Sequence, residues 1–361
     1  MRRISMILAL ALCVSLLAGC AGTPVVYQTN CTCPVEAHET PVVEETVAAV
    51  EAPAVEGALK TGLYISTGIG ESKNATAEEN GEGKYDVTMV AVLMDDEGII
   101  RDCVIDGIAA SVKFDDKGVI TTDLTAAPQT KNELGENYGM VAWGGAIAEW
   151  DQQAAALASY AVGKTVEELK NGAVDETGKA PAGSDLASSA TIYLGGYVAA
   201  IEKAAANAQH LGAQAGDVLK LASVNAIDSS ASVGEKDGTA QLDATVTALT
   251  MNGETITSCA IDAVQAKVSF DASGVVTSDL TAPVQTKNEL GEGYGMVAWG
   301  GAIAEWDAQA ASFASYVTGK TAAEVTGIAV DESTHPTDAD LASSVTIAIG
   351  GFQALIAKAA Q

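Results

Sequence analysis

Residues 129–151, QTKNELGENYGMVAWGGAIAEWD, recur at 285–307 with a single difference, Asn137 against Gly293. The likeness extends over 129–169 against 285–325, where 32 of 41 positions are identical. Outside that block identity falls but register holds: Cys103 and Cys259, Asp106 and Asp262, and Phe114 and Phe270 are each 156 residues apart. DLASSAT at 185–191 answers to DLASSVT at 340–346 after a one-residue deletion. A repeat of about 150 residues far exceeds the 20–50 of a solenoid unit, so each copy is expected to be a domain with its own core. We place the copies at 60–208 and 219–361, with 210–217 (HLGAQAGD) as the joint.

Within a copy the hydrophobic period changes from two to 3.6. Tyr85 to Leu93 is β-branched and apolar, Asp95 to Gly98 is a turn, and Ile99 to Ile108 reads as a second strand, making a hairpin. Val112 to Phe114, the turn Asp115 to Gly118, and Val119 to Leu124 read as another. Ala146 to Val162 is helical, with Ile147, Trp150, Ala154, Leu157 and Ala161 on one buried face. Copy two repeats that face with Ile303, Trp306, Ala310, Phe313 and Val317. A last helix runs from Tyr197 to about Ala208. Strands first and helices after predict an α+β fold: two tandem antiparallel-sheet domains with C-terminal helices.

The chain carries 47 Asp and Glu against 19 Lys and Arg, a formal charge of −28. Nucleic acids and anionic lipid surfaces need clustered cations, so neither is an expected partner. With 48% hydrophobic residues, most of the chain can bury a core. His38, His210 and His335 are far apart in sequence, which argues against a His-rich metal site.

Arg2 and Arg3 precede an apolar run from Ile4 to Ala18, too short for a spanning helix and ending in Leu17-Ala18-Gly19-Cys20. This resembles a bacterial lipoprotein signal with its lipobox. The resemblance implies removal of 1–19, lipidation of Cys20, and an extracytoplasmic protein held at the cell membrane by acyl chains. Residues 20–58, with Pro24, Pro34, Pro41 and Pro53 among repeated acids, read as an extended, disordered tether. Cys31 and Cys33 lie in it; mobile thiols or a disulfide to another chain are the simpler readings.

All four Trp residues belong to the duplicated block. Trp150 and Trp306 sit at helical spacing and are expected in the core. Trp143 and Trp299 lie in glycine-flanked loops and are the candidates for stacking on a planar ligand. The glycines at 135, 139, 144 and 145 lack the Lys-Ser/Thr ending of a phosphate loop. Glu133, Glu136, Glu149 and Asp151 are read as solvated acids rather than a catalytic pair. The DDEG and DDKG stretches are read as hairpin turns, because neither has the ligand series of a calcium loop. Cys103 and Cys259 are read as buried small hydrophobes. No catalytic residue and no metal ligand is assigned.

Asp185-Leu186-Ala187-Ser188-Ser189-Ala190-Thr191 precedes the last helix. Here, and over GKYDVTMVAVLMDDEGIIRDCVI, the chain resembles the FMN-binding domain family of secreted lipoproteins and electron-transport subunits. The resemblance implies that a flavin transferase joins FMN through its phosphate to the Thr191 hydroxyl, with Asp185, Ser188, Ser189 and Ala190 forming the motif. Thr346 is the second-copy acceptor, although Val345 stands where the motif has Ala. Trp143 and Trp299 would then shield the flavin rings. The function implied is a membrane-anchored FMN-binding electron carrier, with redox partners, that is not an enzyme by itself. The other reading of DLASSATI is a capping turn and core strand. The other reading of the whole protein is a structural or ligand-binding surface lipoprotein built on the 129–151 block.

Overall fold

The computed structural model describes residues 57–361. The signal, Cys20, Cys31, Cys33 and all but the last two residues of the tether lie outside the described residues. Strands β1 (Lys60–Gly68), β2 (Gly81–Met94) and β3 (Ile100–Phe114) form an antiparallel sheet in the order β1-β2-β3. Strands β4 (Val218–Ala226), β5 (Gly238–Asn252) and β6 (Thr255–Phe270) repeat it. After its sheet, copy one has α1 (Lys131–Leu134), α2 (Met140–Gly144), α3 (Trp150–Ala161), α4 (Val166–Ala173), α5 (Asp185–Ser189) and α6 (Gly195–Ala206). Copy two has α7 (Lys287–Leu290), α8 (Met296–Gly300), α9 (Trp306–Val317), α10 (Ala322–Thr326), α11 (Ala339–Ala342) and α12 (Gly350–Ala359). The fold is mixed α+β, as expected.

Three local expectations change. The second hairpin is cut short: β3 runs unbroken to Phe114, and beyond the turn the chain returns only through the bridge Phe114–Ile120, with Asp115 N–H donating to Val119 O at 2.9 Å and Thr121 N–H to Lys113 O at 2.8 Å. Pairing goes no further because Lys113 N–H is taken by the Thr122 hydroxyl at 2.7 Å and Ile120 N–H by the Ser232 hydroxyl of copy two at 2.9 Å, in place of ladder carbonyls. The third strand is instead β1, paired along β2 from Lys60–Met94 to Gly68–Asp86. The helix predicted over 146–162 begins only at Trp150, and Ile147 and Ile303 are exposed rather than on its buried face. The last helix starts two residues early, at Gly195.

Both faces of each sheet are covered. From β2, Val87, Met89, Ala91 and Leu93 enter one cluster, while Val90, Val92 and Met94 enter another with the helices. Alternate residues on a strand point to opposite faces, so covering both makes the strand an unbroken apolar run. β5 divides likewise, with Leu242, Ala244, Val246 and Ala248 on one side and Leu249 and Met251 on the other. The first cluster is common to both copies, so the layers run helices, sheet, sheet, helices. A core private to each copy was expected; the helix–sheet cores are private, but the sheets bury their inner faces against each other. At the centre the equivalent rings of Phe114 and Phe270 stack at 3.8 Å and 4°. Loop exchanges lace the copies together: Ala75 N–H donates to Gly274 O at 2.8 Å, and Val233 N–H to Gly118 O at 2.9 Å.

Candidate functional site

The first turn of α3 organises two exposed features. Glu149, its extended N-cap residue, turns its buried carboxylate back to accept from Met140 N–H at 2.8 Å and Val141 N–H at 3.0 Å. This holds α2 at an angle to α3 and explains why the longer helix cannot begin at Ala146. Gly139 (φ 80°) and Gly145 (φ 62°) close α2 in the left-handed region, where a side chain is strained. The indole of Trp143 folds back over Gly139, where a Cβ would meet Nε1 at 2.6 Å. Trp143 is nevertheless 90% exposed, with exposed Val141 and Ile147 on the same loop. Glu305, Trp299, Val297 and Ile303 reproduce this in copy two, with Trp299 also 90% exposed.

One turn further along α3, Gln153 is fully buried. Its Oε1 accepts from Thr191 N–H at 2.8 Å, Ile192 N–H at 3.2 Å and the Thr191 hydroxyl at 3.3 Å. Its Nε2 donates to Ala148 O at 2.8 Å. Gln309 makes the matching set to Thr346, Ile347 and Ala304. Thr191 and Thr346 are therefore exposed residues fixed by a buried amide. Neither glutamine was singled out from the sequence. The available signal was a polar residue on the buried face of the α3 helix, kept at Gln153 and Gln309 while neighbouring Gln152 becomes Ala308.

The rest of the motif forms α5. Ser184, not Asp185, caps it by accepting from Ala187 N–H at 3.2 Å. Asp185, Ser188 and Ser189 are exposed, and the Ser188 hydroxyl donates to Asp185 O at 2.6 Å. Leu186 and Ala190 are buried and anchor the turn. Val345, in the place of Ala190, is also buried, so that change falls in the core and leaves Thr346 in the geometry of Thr191. The following helices α6 and α12 each begin Gly-Gly and have no side-chain cap, whereas Thr, Ser or Asp caps α1, α4, α5, α7, α10 and α11.

Trp150 and Trp306 lie in the core. Trp150 Nε1–H donates to the Tyr197 hydroxyl at 3.0 Å, and the Lys131 ammonium lies 4.9 Å from its ring and 3.0 Å from Asp86. With the Tyr138 ring 5.6 Å from the same ammonium, the face of Trp150 already holds the protein's own cation. Cys103 and Cys259 are buried free thiols; burial raises both, Cys259 to about 12. Asp115 closes its turn through bonds from Lys117 N–H and Val119 N–H, both 2.9 Å, and Asp95 does so through Ile99 N–H at 2.8 Å. No group of three or more candidate metal ligands occurs among the described residues.

Comparison of the chain with family models, with curated proteins and with solved structures finds no match.

Proposed function

We propose that the protein is an extracytoplasmic, lipid-anchored flavoprotein that carries FMN on Thr191 and Thr346 and passes electrons between redox partners. The observation that carries this reading is the setting of the two threonines. Each is an exposed residue at the end of a small-residue turn, has its hydroxyl held by a buried glutamine, and is followed by an uncapped Gly-Gly helix start. A phosphate ester at Thr191 fits these residues. Esterification removes one 3.3 Å bond to Gln153, while the two backbone bonds to Gln153 remain. The positive end of α6 favours the added charge, because its first N–H groups have no side-chain partner. Trp143 is held through Glu149, one turn before Gln153 on the same helix, and offers an exposed aromatic face to the flavin ring. When bound, the flavin supplies the one- and two-electron chemistry; the chain holds it and sets its exposure.

The test is intact mass and visible absorbance of the protein expressed with a flavin transferase. One FMN per threonine is expected, lost one at a time in Thr191→Ala and Thr346→Ala and retained in Thr191→Ser. Protein of unmodified mass and no yellow colour would end the flavin reading.

A second reading rests on a different observation, the twin loops bearing Trp143 and Trp299. Exposed aromatics backed by valine and isoleucine are the usual anchors of a binding surface. In this reading the protein is a surface lipoprotein that recognises a ligand with both loops. Equal retention of wild type and Trp143→Ala/Trp299→Ala on isolated cell envelopes would count against it.

A further inference from the structure

The two copies differ sharply at one place, and the difference concerns a cation. In copy one, Glu133 completes a capping box by accepting Thr130 N–H on Oε2 at 2.9 Å. Its Oε1 takes the ammonium of Lys358, from α12 of the other copy, and that ammonium also donates to Ser223 O at 2.7 Å. In copy two, Glu289 makes the same box, accepting Thr286 N–H on Oε2 at 3.0 Å. The counterpart of Lys358 is Lys203, ninth residue of α6 as Lys358 is ninth of α12. Lys203 is exposed and forms no ion pair among the described residues, and neither does Glu289.

A cleft of about 810 Å³ lies at Glu289, between β1 and the end of α6 on one side and β6, α7 and α9 on the other. Asp262, Glu289 and Asp307 line it, with Tyr64, Asn207 and His210, and no Lys or Arg does. His210 is turned to Asp96, 3.1 Å away. The floor includes apolar side chains, Leu63 and Ile261 among them. The volume is that of a small-molecule site. Three carboxylates with no Lys or Arg among the lining residues disfavour an anion, and apolar lining side chains suit methylene groups.

We propose that this cleft binds a small aliphatic amine, with Glu289 Oε1 taking a primary ammonium as Glu133 Oε1 takes that of Lys358. A diamine or free lysine has the right chemistry: an ammonium for Glu289, a methylene chain for the floor, and a second polar end near the other acids. The site is separate from Thr191 and Thr346 and does not rest on the flavin reading.

Calorimetric titration of the full chain in detergent with 1,5-diaminopentane tests this. One saturable site is expected, weakened about tenfold or more by Glu289→Gln and unchanged by Glu133→Gln. Glutarate, of similar length and opposite charge, should not bind. Asp307→Asn serves as a second cleft variant, and a thermal melt of each variant verifies that it is folded. Three results would overturn the proposal: no saturation by about 10 mM, equal weakening by Glu133→Gln and Glu289→Gln, or full affinity in folded Glu289→Gln. Repeating the titration with Thr191→Ala/Thr346→Ala separates this site from the flavin sites, since binding should be unaffected.

Discussion

Gln153 shows how much can depend on one buried amide. Truncation to Ala would leave Thr191 N–H, Ile192 N–H and Ala148 O without the partner each now has. Unpaired buried groups cost on the order of 1–3 kcal/mol apiece, less where water can enter, so Gln153→Ala should destabilise by about 2–4 kcal/mol. Chemical denaturation measures this, and a shift below about 0.5 kcal/mol would contradict the clamp. Asp262 gives a pH-dependent prediction. Burial pushes its carboxyl up to about 6 from an ordinary 3.8, against the lowering effect of bonds from Thr286, Asn288 and Ala263. A folded-state value above the unfolded one means protonation favours the fold. Its contribution is fully present below about 3.8 and lost as pH rises through about 6. Asp262→Asn keeps an acceptor for Ala263 and Asn288 N–H but no charge. It should therefore be more stable than wild type at pH 7.5, with the gap closing toward pH 4; urea midpoints at both values decide it.

At the scale of elements, the repeat itself supplies a control. Gly178 turns with φ 74°, and its counterpart Thr334 has φ 63°, the one positive value outside glycine among the described residues. Both carbonyls hold the start of the last helix, accepting from Leu194 N–H at 2.7 Å and Ile349 N–H at 2.8 Å. A β-branched residue is strained there, so Thr334→Gly should raise stability by about 0.5–1 kcal/mol despite the greater freedom of glycine when unfolded. A melting temperature that falls in this variant would refute the argument. The elements were legible where one period dominated: β2, most of β3, α3 and α6 follow from alternation or helical spacing. β1 was missed because its short KTGLYISTG run alternates weakly. The start of α3 was misplaced because spacing registered Ile147 as apolar and could not register that Glu149 folds back to cap α2.

For the whole molecule, the governing contact is sheet on sheet. Removing the Phe270 ring would open a cavity where Phe114 now stacks, at a cost of about 3–5 kcal/mol. Because the core is common, Phe270→Ala should lower a single unfolding transition that includes copy one. Hydrogen exchange should show Val87–Leu93 losing protection together with Val246–Leu249, and loss confined to copy two would mean independent domains. The candidate site was legible in part. The Thr motif and the exposed Trp loops stood out as residues, but the glutamine that fixes Thr191 lies 38 positions away and only folding brings it there. The cleft at Glu289 left no trace in the sequence, because Glu133 and Glu289 sit in identical stretches.

What the sequence determined by itself was local and periodic: a duplicated α+β unit, its principal strands and helices, a buried and an exposed Trp in each copy, and an acidic balance that disfavours polyanionic partners. These follow from spacing and composition, which act over a few residues at a time. Tertiary structure alone decided that the copies fuse through a common core, that Gln153 and Gln309 hold the threonines, and that Glu133 meets a lysine while Glu289 faces an open cleft. Each depends on which surface packs against which, and two nearly identical segments can differ completely in what the rest of the chain places beside them.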